Sequence, residues 1–126
     1  MIDAPIHPAE QFRAFLEQGR FMLQRARGSG AHVFYPRVAE PRTGATDLDW
    51  VEASGRGVVY SVTVQRNRPP APDASLALVD LAEGPRMLTR IDGIAPDEVT
   101  IGMAVRARIV DEGGGPFVVF EPDSAA

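Results

Sequence analysis

The hydrophobic positions in the second half of the chain recur in short runs that are typical of β-strands. The run from Val58 to Val64 is rich in β-branched residues, and the later runs either alternate with polar residues or are short and continuous. Glycine- and proline-rich turns separate the runs, and residues 95–99 fit a single helical turn. The pattern predicts a mainly β protein with strands at 58–64, 76–81, 87–91, 103–110 and 117–120. A break between the third and fourth strands indicates a five-stranded OB-type barrel, although the pattern also fits a five-stranded sandwich.

The first residues follow a helical period instead. Phe12, Phe15 and Leu16 are spaced i, i+3 and i+4, which places them on one face of a helix. Pro8 suits the first turn of this helix, and Gly19 is a suitable residue to end it. Such a short helix is marginally stable alone, so its apolar face is expected to pack on the barrel or on a partner protein.

Residues 20–49 lack a clear period. Two turn-rich knuckles, at 25–30 and 40–44, flank the strand-like run 32–35, and this order predicts a ribbon with little core of its own. We therefore divide the chain into an N-terminal segment of residues 1–49, with the helix and the ribbon, and a barrel domain of residues 50–126.

Charge changes this picture in one respect. All 13 basic residues are arginine, and 17 acidic residues give a net charge of −4. Arginine offers a planar fork that suits phosphate and carboxylate groups. The acidic balance argues against general nucleic-acid binding, which needs a basic surface.

The chain contains no cysteine, which excludes disulfides and thiolate-bound metal. No apolar run approaches the length of a membrane span, and the N-terminus shows no secretory signal pattern. A cytoplasmic protein is the expectation from these features.

Several stretches of the chain resemble a known family in their content and order. The similarity is strongest in 54–64, followed at the right distance by Glu83-Gly84-Pro85-Arg86, and it covers nearly the whole chain. The chain resembles the zinc-ribbon plus OB-fold family once filed as domain of unknown function 35, or DUF35, whose members accompany thiolases and related acyl-CoA enzymes. The further matching stretches are 19–25, Tyr35-Pro36-Arg37, Leu48-Asp49-Trp50, 78–82 and 101–105.

The resemblance implies a non-catalytic accessory subunit of a thiolase-like or related acyl-CoA enzyme, without a cofactor. A stand-alone acyl-CoA-binding protein is the first alternative, and a single-stranded nucleic-acid binder ranks last because the barrel half is acidic. The family pattern places four zinc-binding cysteines in the two knuckles, and these positions hold Ala26, Ser29, Glu40 and Thr43. One possible ligand does not make a tetrahedral site, so a metal-free, rubredoxin-like ribbon remnant is expected.

Candidate binding residues follow from the arginines and the aromatic residues. We expect CoA contacts at Arg56, Tyr60, Arg66 and Arg68, and a partner interface at Phe12, Phe15, Leu16, Arg37 and Trp50. The loop Ser54-Gly55-Arg56-Gly57 could cradle a phosphate, but a sharp entry into the first barrel strand is the favoured interpretation. With two histidines, no cysteine and no nucleophile elbow, the sequence offers no catalytic set.

Overall fold

A five-stranded sheet and a smaller three-stranded sheet make up most of the structure, a computed structural model that describes residues 8–35 and 48–123. The strands of the large sheet are antiparallel and lie in the order β6-β5-β4-β7-β8. They are β4 (Arg56–Gln65), β5 (Ala74–Leu81), β6 (Arg86–Thr89), β7 (Ala104–Asp111) and β8 (Pro116–Pro122). A 3₁₀ turn at Pro96–Glu98 separates β6 from β7. The predicted mainly β, OB-type fold is confirmed, including the break between the third and fourth barrel strands.

The large sheet curls until its two edge strands meet at one end. The pairing of β4 with β5 shifts register between Val59 and Ser61, which is a β-bulge, and bulges bend a strand and increase its twist. Just after β6, Ile91 forms an isolated parallel bridge with Phe120 of β8. The Phe120 N–H donates to the Arg90 carbonyl at 3.1 Å, and the Phe120 carbonyl accepts from the Asp92 N–H at 2.7 Å. The chain just after β6 is therefore bonded to β8 at this end.

The N-terminal ribbon forms a sheet of its own. Strand β1 (Met22–Ala26) lies between β2 (His32–Val33) and β3 (Leu48–Glu52), and both pairings are antiparallel. Leu23 is opposite Val51, and Gln24 is opposite Trp50. Strand β2 covers the first two residues of the strand-like run 32–35 that the sequence indicates, and the strand ends at Val33.

The ribbon contributes directly to the hydrophobic core, which it shares with the barrel rather than building one of its own. Phe21 and Leu23 belong to the same buried cluster as Val59, Val79 and Phe120 of the barrel. All positions from 21 to 24 are buried, so β1 shows a continuous run rather than an alternation. A short strand buried on both faces has no clear period, which is why the sequence pattern does not mark this strand.

The N-terminal helix packs on its own chain. Helix α1 (Pro8–Glu17) contacts β1 and β8, and Leu16 is only 4% exposed within the shared core. Gly19 has a φ of +76°, and its N–H donates to the Leu16 carbonyl, as is common at a helix C-terminus. Across residues 8–35 and 48–123, no helix has the length and apolar character needed to cross a membrane.

Candidate functional site

An apolar groove opens where the edge strands β6 and β8 diverge. We call it the seam groove; its volume is about 660 Å³. Helix α1 forms one wall, the residues after β2 form a second, and the two edge strands form the floor. The lining includes Phe12, Leu16, Tyr35, Met87, Leu88 and Phe117.

Hydrogen bonds hold the walls of the seam groove in place. The Arg13 guanidinium on α1 donates to the Gly114 carbonyl in the β7–β8 turn at 3.3 Å. Gly115 has a φ of +107°, and a Cβ at this position would collide with the Arg13 side chain. On the opposite side, the Leu88 N–H donates to the Tyr35 hydroxyl at 3.4 Å. A glycine-rich turn therefore allows the helix to approach β8 closely.

Two arginines lie along the seam groove, and they differ in how their charges are balanced. Arg90 forms ion pairs with Asp92 and Glu112, each at 2.6 Å. These contacts, with Asp92 the stronger, raise the pKa of Arg90, and the hydrogen bond from Arg90 lowers the pKa of Glu112. Within the described part of the chain, Arg13 has no carboxylate within 4.0 Å. Among the described residues, Arg13 is therefore the groove arginine that lacks a carboxylate partner.

The four predicted CoA contacts do not form one cluster. Arg56 and Tyr60 lie on the exposed face of β4, whereas Arg66 and Arg68 follow the end of that strand. Ten residues separate Arg56 from Arg66, which is roughly 30 Å along a straight strand. The structure therefore pairs them two by two rather than placing all four around one site.

Two of these candidates are already engaged within the chain. The Arg86 guanidinium carbon lies 3.5 Å from the Tyr60 ring centroid, so it covers one face of the ring. Arg66 forms ion pairs with Asp73 and Asp97, both at 2.9 Å, and their hydrogen bonds, Asp73 first, raise the pKa of Arg66. One face of Tyr60 and most of the charge of Arg66 are therefore already taken up by neighbouring side chains.

The loop Ser54-Gly55-Arg56-Gly57 is held by bonds within the protein. The Ser54 N–H donates to the Glu83 carboxylate at 2.6 Å, and the Arg56 N–H donates to the Ser54 hydroxyl at 3.2 Å. Gly55 has a φ of +80°, and its carbonyl accepts from the Ala107 N–H at 2.6 Å. These bonds support the structural interpretation of this loop, because two of its N–H groups are not free to bind phosphate.

The predicted partner residues on the helix form an aromatic cluster with Trp50. The Trp50 ring stacks on Phe12 at 6.4 Å and meets the edge of Phe15 at 5.3 Å. The Trp50 indole N–H also donates to the Gln11 side chain at 3.3 Å. Leu16 is buried in the core, and Arg37 lies outside the described residues. The structure thus brings Phe12, Phe15 and Trp50 together, with Leu16 beneath them.

Comparison with known proteins identifies the family. Residues 50–110 match the model of the C-terminal OB-fold domain of ChsH2. A DUF35 domain-containing scaffold protein of Pyrococcus furiosus is 31% identical over 123 residues, with 87% of each chain covered. The chain belongs to the DUF35 family. A solved structure agrees: a chain of the Ltp2-ChsH2(DUF35) aldolase is 32% identical, with a TM-score of 0.80 over 96% of this chain and 98% of that one.

Another relative of this DUF35 protein is much longer. A probable enoyl-CoA hydratase alpha subunit of Thermomonospora curvata is 41% identical over 93 residues, which cover 71% of this chain. The matched region covers only 29% of that subunit. The DUF35 chain therefore corresponds to one part of that relative.

The positions of the family's zinc-binding cysteines are only partly described. Ala26 is buried in β1, and the Ser29 hydroxyl accepts a hydrogen bond from the Ala31 N–H at 3.2 Å. Glu40 and Thr43 lie outside the described residues. In 8–35 and 48–123, no three histidine, aspartate or glutamate side chains are grouped to hold a metal ion. The metal-free ribbon stays a prediction.

Sequence reasoning did not find the seam groove, although part of its signal was present. On β5 and β6 the outward positions include Leu76 and Leu88, where an alternating strand at a solvent-facing surface would carry polar residues. Both leucines are more than 40% exposed, as are Tyr35 and Val58. An outward leucine on a strand that is buried on its other face was the available clue.

Proposed function

We propose that this DUF35 chain is a non-catalytic accessory subunit of a thiolase-like or related acyl-CoA-processing enzyme. The observation that supports it most directly is the correspondence of nearly the whole chain with a chain of the Ltp2-ChsH2(DUF35) aldolase. The name of the P. furiosus relative describes a scaffold, and the name of the T. curvata relative describes a subunit of an acyl-CoA enzyme. A subunit role fits a chain whose sequence offers no catalytic set.

The proposed contact surface is the aromatic cluster on α1 and β3. Phe12, Phe15 and Trp50 are each partly exposed, and aromatic residues are enriched in the centres of protein interfaces. Arg20 lies over the Phe15 ring at 5.3 Å and adds a cation to this surface. Leu16 supports the helix from below, and Arg37 remains a proposed contact.

Contact with CoA is a second element of the proposal. Arg56 and Arg68 are exposed, and neither forms an ion pair among the described residues, so both remain available to phosphate. Tyr60 offers one ring face for an adenine. Arg66 is the weakest of the four candidates, because a phosphate would have to compete with Asp73 and Asp97 for its guanidinium.

Affinity purification of the tagged protein from its own cell extract tests the subunit role. We expect an acyl-CoA enzyme to co-elute in a fixed ratio, and its measured activity to fall when the DUF35 chain is removed. Phe15→Ala should reduce the co-eluting amount severalfold, because it removes a ring from the centre of the aromatic cluster. Ile101→Ala, at a position that is 71% exposed and lies outside both the aromatic cluster and the seam groove, is the matched control.

Elution of the protein alone, from extract in which the candidate enzyme is present, would contradict the subunit role. It would favour the stand-alone acyl-CoA-binding protein instead. Equal losses with Phe15→Ala and Ile101→Ala would contradict the assignment of the contact surface.

A further inference from the structure

We propose that the seam groove binds a ligand with an apolar acyl tail and an anionic group, the anion pairing with Arg13. The inference rests on the proposed function, because it places the acyl part of an acyl-CoA-type ligand on the accessory subunit itself. Three features of the groove carry it: its shape, its exposed apolar lining and its unbalanced cation.

The shape of the seam groove fits an acyl tail. The groove lies over the two strand edges, which are bridged at Ile91 and Phe120 and diverge beyond that point. Its volume of about 660 Å³ lies within the range of roughly 300–1,000 Å³ that is typical of small-molecule sites. A concave site of this size, bounded by a helix, a ribbon end and two strands, can accommodate an elongated small molecule.

The lining is apolar and is partly exposed to water. Tyr35, Leu76, Leu88 and Phe117 line the groove, and each is at least 36% exposed. The Thr89 hydroxyl on the floor already donates to the Val118 carbonyl at 3.2 Å, so it does not require a polar ligand. An apolar tail would remove these side chains from water, which favours binding.

The charge at the rim favours an anion. Arg90 is balanced by Asp92 and Glu112, but Arg13 makes only a bond to a backbone carbonyl among the contacts of the described residues. An arginine fork pairs well with a carboxylate or a phosphate. A free acid and a CoA thioester both supply this chemistry, so the test includes both sources.

Trp50 provides a direct readout. It is the sole tryptophan of the chain, and it stacks on Phe12, which lines the groove. Fluorescence titrations of the full chain with CoA, octanoyl-CoA, dodecanoyl-CoA and dodecanoate, below their micelle-forming concentrations and repeated by calorimetry, measure binding. Each added methylene should tighten binding about threefold to fourfold, and CoA alone should bind at least a hundredfold more weakly than dodecanoyl-CoA. If dodecanoate binds as tightly as dodecanoyl-CoA, a free acid is enough to occupy the groove. If dodecanoyl-CoA binds tightly and dodecanoate does not, the ligand is the CoA thioester.

Two groove variants and one control locate the site. Leu88→Glu and Leu76→Glu place a carboxylate in the lining and should weaken dodecanoyl-CoA binding more than tenfold. Ile101→Glu makes the same change at a position that is 71% exposed and does not line the groove, so its affinity should match that of the unsubstituted chain. Arg13→Gln should weaken dodecanoate binding severalfold and leave 1-dodecanol binding unchanged. The thermal unfolding midpoint of each variant confirms that it is folded.

The inference is overturned if affinity does not depend on acyl length, or if Ile101→Glu weakens binding as much as both groove variants do. It is also overturned if the unsubstituted chain binds no acyl ligand while Leu88→Glu abolishes capture of the partner enzyme. That result would make the groove a protein interface and would leave the subunit role intact. Acyl binding by the isolated chain, together with purifications from extract in which no enzyme co-elutes, would refute the subunit role and leave the groove assignment standing.

Discussion

Leu23→Ala tests whether the ribbon and the barrel share one core. Leu23 is 1% exposed and belongs to the cluster that contains Val59, Val79 and Phe120. Truncation of a fully buried leucine removes its transfer free energy and leaves a cavity, which together cost about 3–5 kcal/mol when the site cannot collapse. Leu23 packs between a sheet and a barrel, so we expect a loss of about 3 kcal/mol. For a chain of this size, that is a large part of a total stability of about 5–15 kcal/mol.

Urea unfolding, followed by two probes, measures the effect. Trp50 lies in β3 beside β1 and reports the ribbon, whereas far-ultraviolet circular dichroism is dominated by the larger barrel sheet. Both transitions should shift to lower urea by the same amount, because one core unfolds cooperatively. The matched control is Leu88→Ala, a leucine that is 48% exposed, and its expected cost is about 1 kcal/mol or less. If the Trp50 transition moved while the circular dichroism transition did not, the shared core would be refuted.

Three further changes probe single contacts. The buried Ser75 hydroxyl donates to the Ile91 carbonyl and accepts from the Ile91 N–H. Ser75→Ala should therefore lower the free energy of unfolding, measured in urea, by about 2–3 kcal/mol, and a decrease below about 0.5 kcal/mol would contradict this. A Cβ on Gly57 would lie 2.5 Å from a Val79 methyl carbon, so Gly57→Ala should lower the unfolding free energy by about 1–3 kcal/mol, and an unchanged urea midpoint would show that β4 and β5 can move apart. The pKa of Glu112 is lowered by its arginine partner, so its stabilising contribution is present above its ordinary pKa and is lost as the pH falls through the lowered value. The fall in thermal midpoint over that acidic range should be shallower in Glu112→Gln than in the unsubstituted chain, and identical pH profiles would show that the ion pair contributes nothing.

The core of the ribbon offers a physical reason why this segment could remain ordered without zinc. Metal sites in small domains supply folding free energy that few side chains can replace. Here Phe21 and Leu23 join the barrel core, and Phe12 packs against Phe21 and Phe34 from the helix. If the ribbon is metal-free, as predicted, this apolar packing would take the place of a metal centre in holding it to the barrel.

The interpretation of the arginines as binding residues changes once their partners in the fold are known. In the sequence, Arg66 and Arg90 are cations in an arginine-rich chain, and their guanidinium groups suit phosphate or carboxylate. In the structure, each is held by two carboxylates, whereas Arg13 has none nearby among the described residues. Arg13 attracted no attention in the sequence, because its isolation depends on which acidic side chains the fold brings close.

The sequence by itself determined the local elements and the family. Alternation and β-branched runs predicted the five barrel strands, the i, i+3, i+4 spacing and Gly19 predicted α1, and the order of short motifs pointed to DUF35. These features succeed because they depend on neighbours within a few residues.

Only the tertiary structure decided the rest. The seam groove exists because β6 and β8, about thirty residues apart, meet at one end and diverge at the other. Segments far apart in the chain also bury β1 on both faces and place the Arg86 guanidinium over the Tyr60 ring. A local pattern records which face of an element is apolar, but which segments pack together, and what they leave exposed, depends on how the whole chain folds.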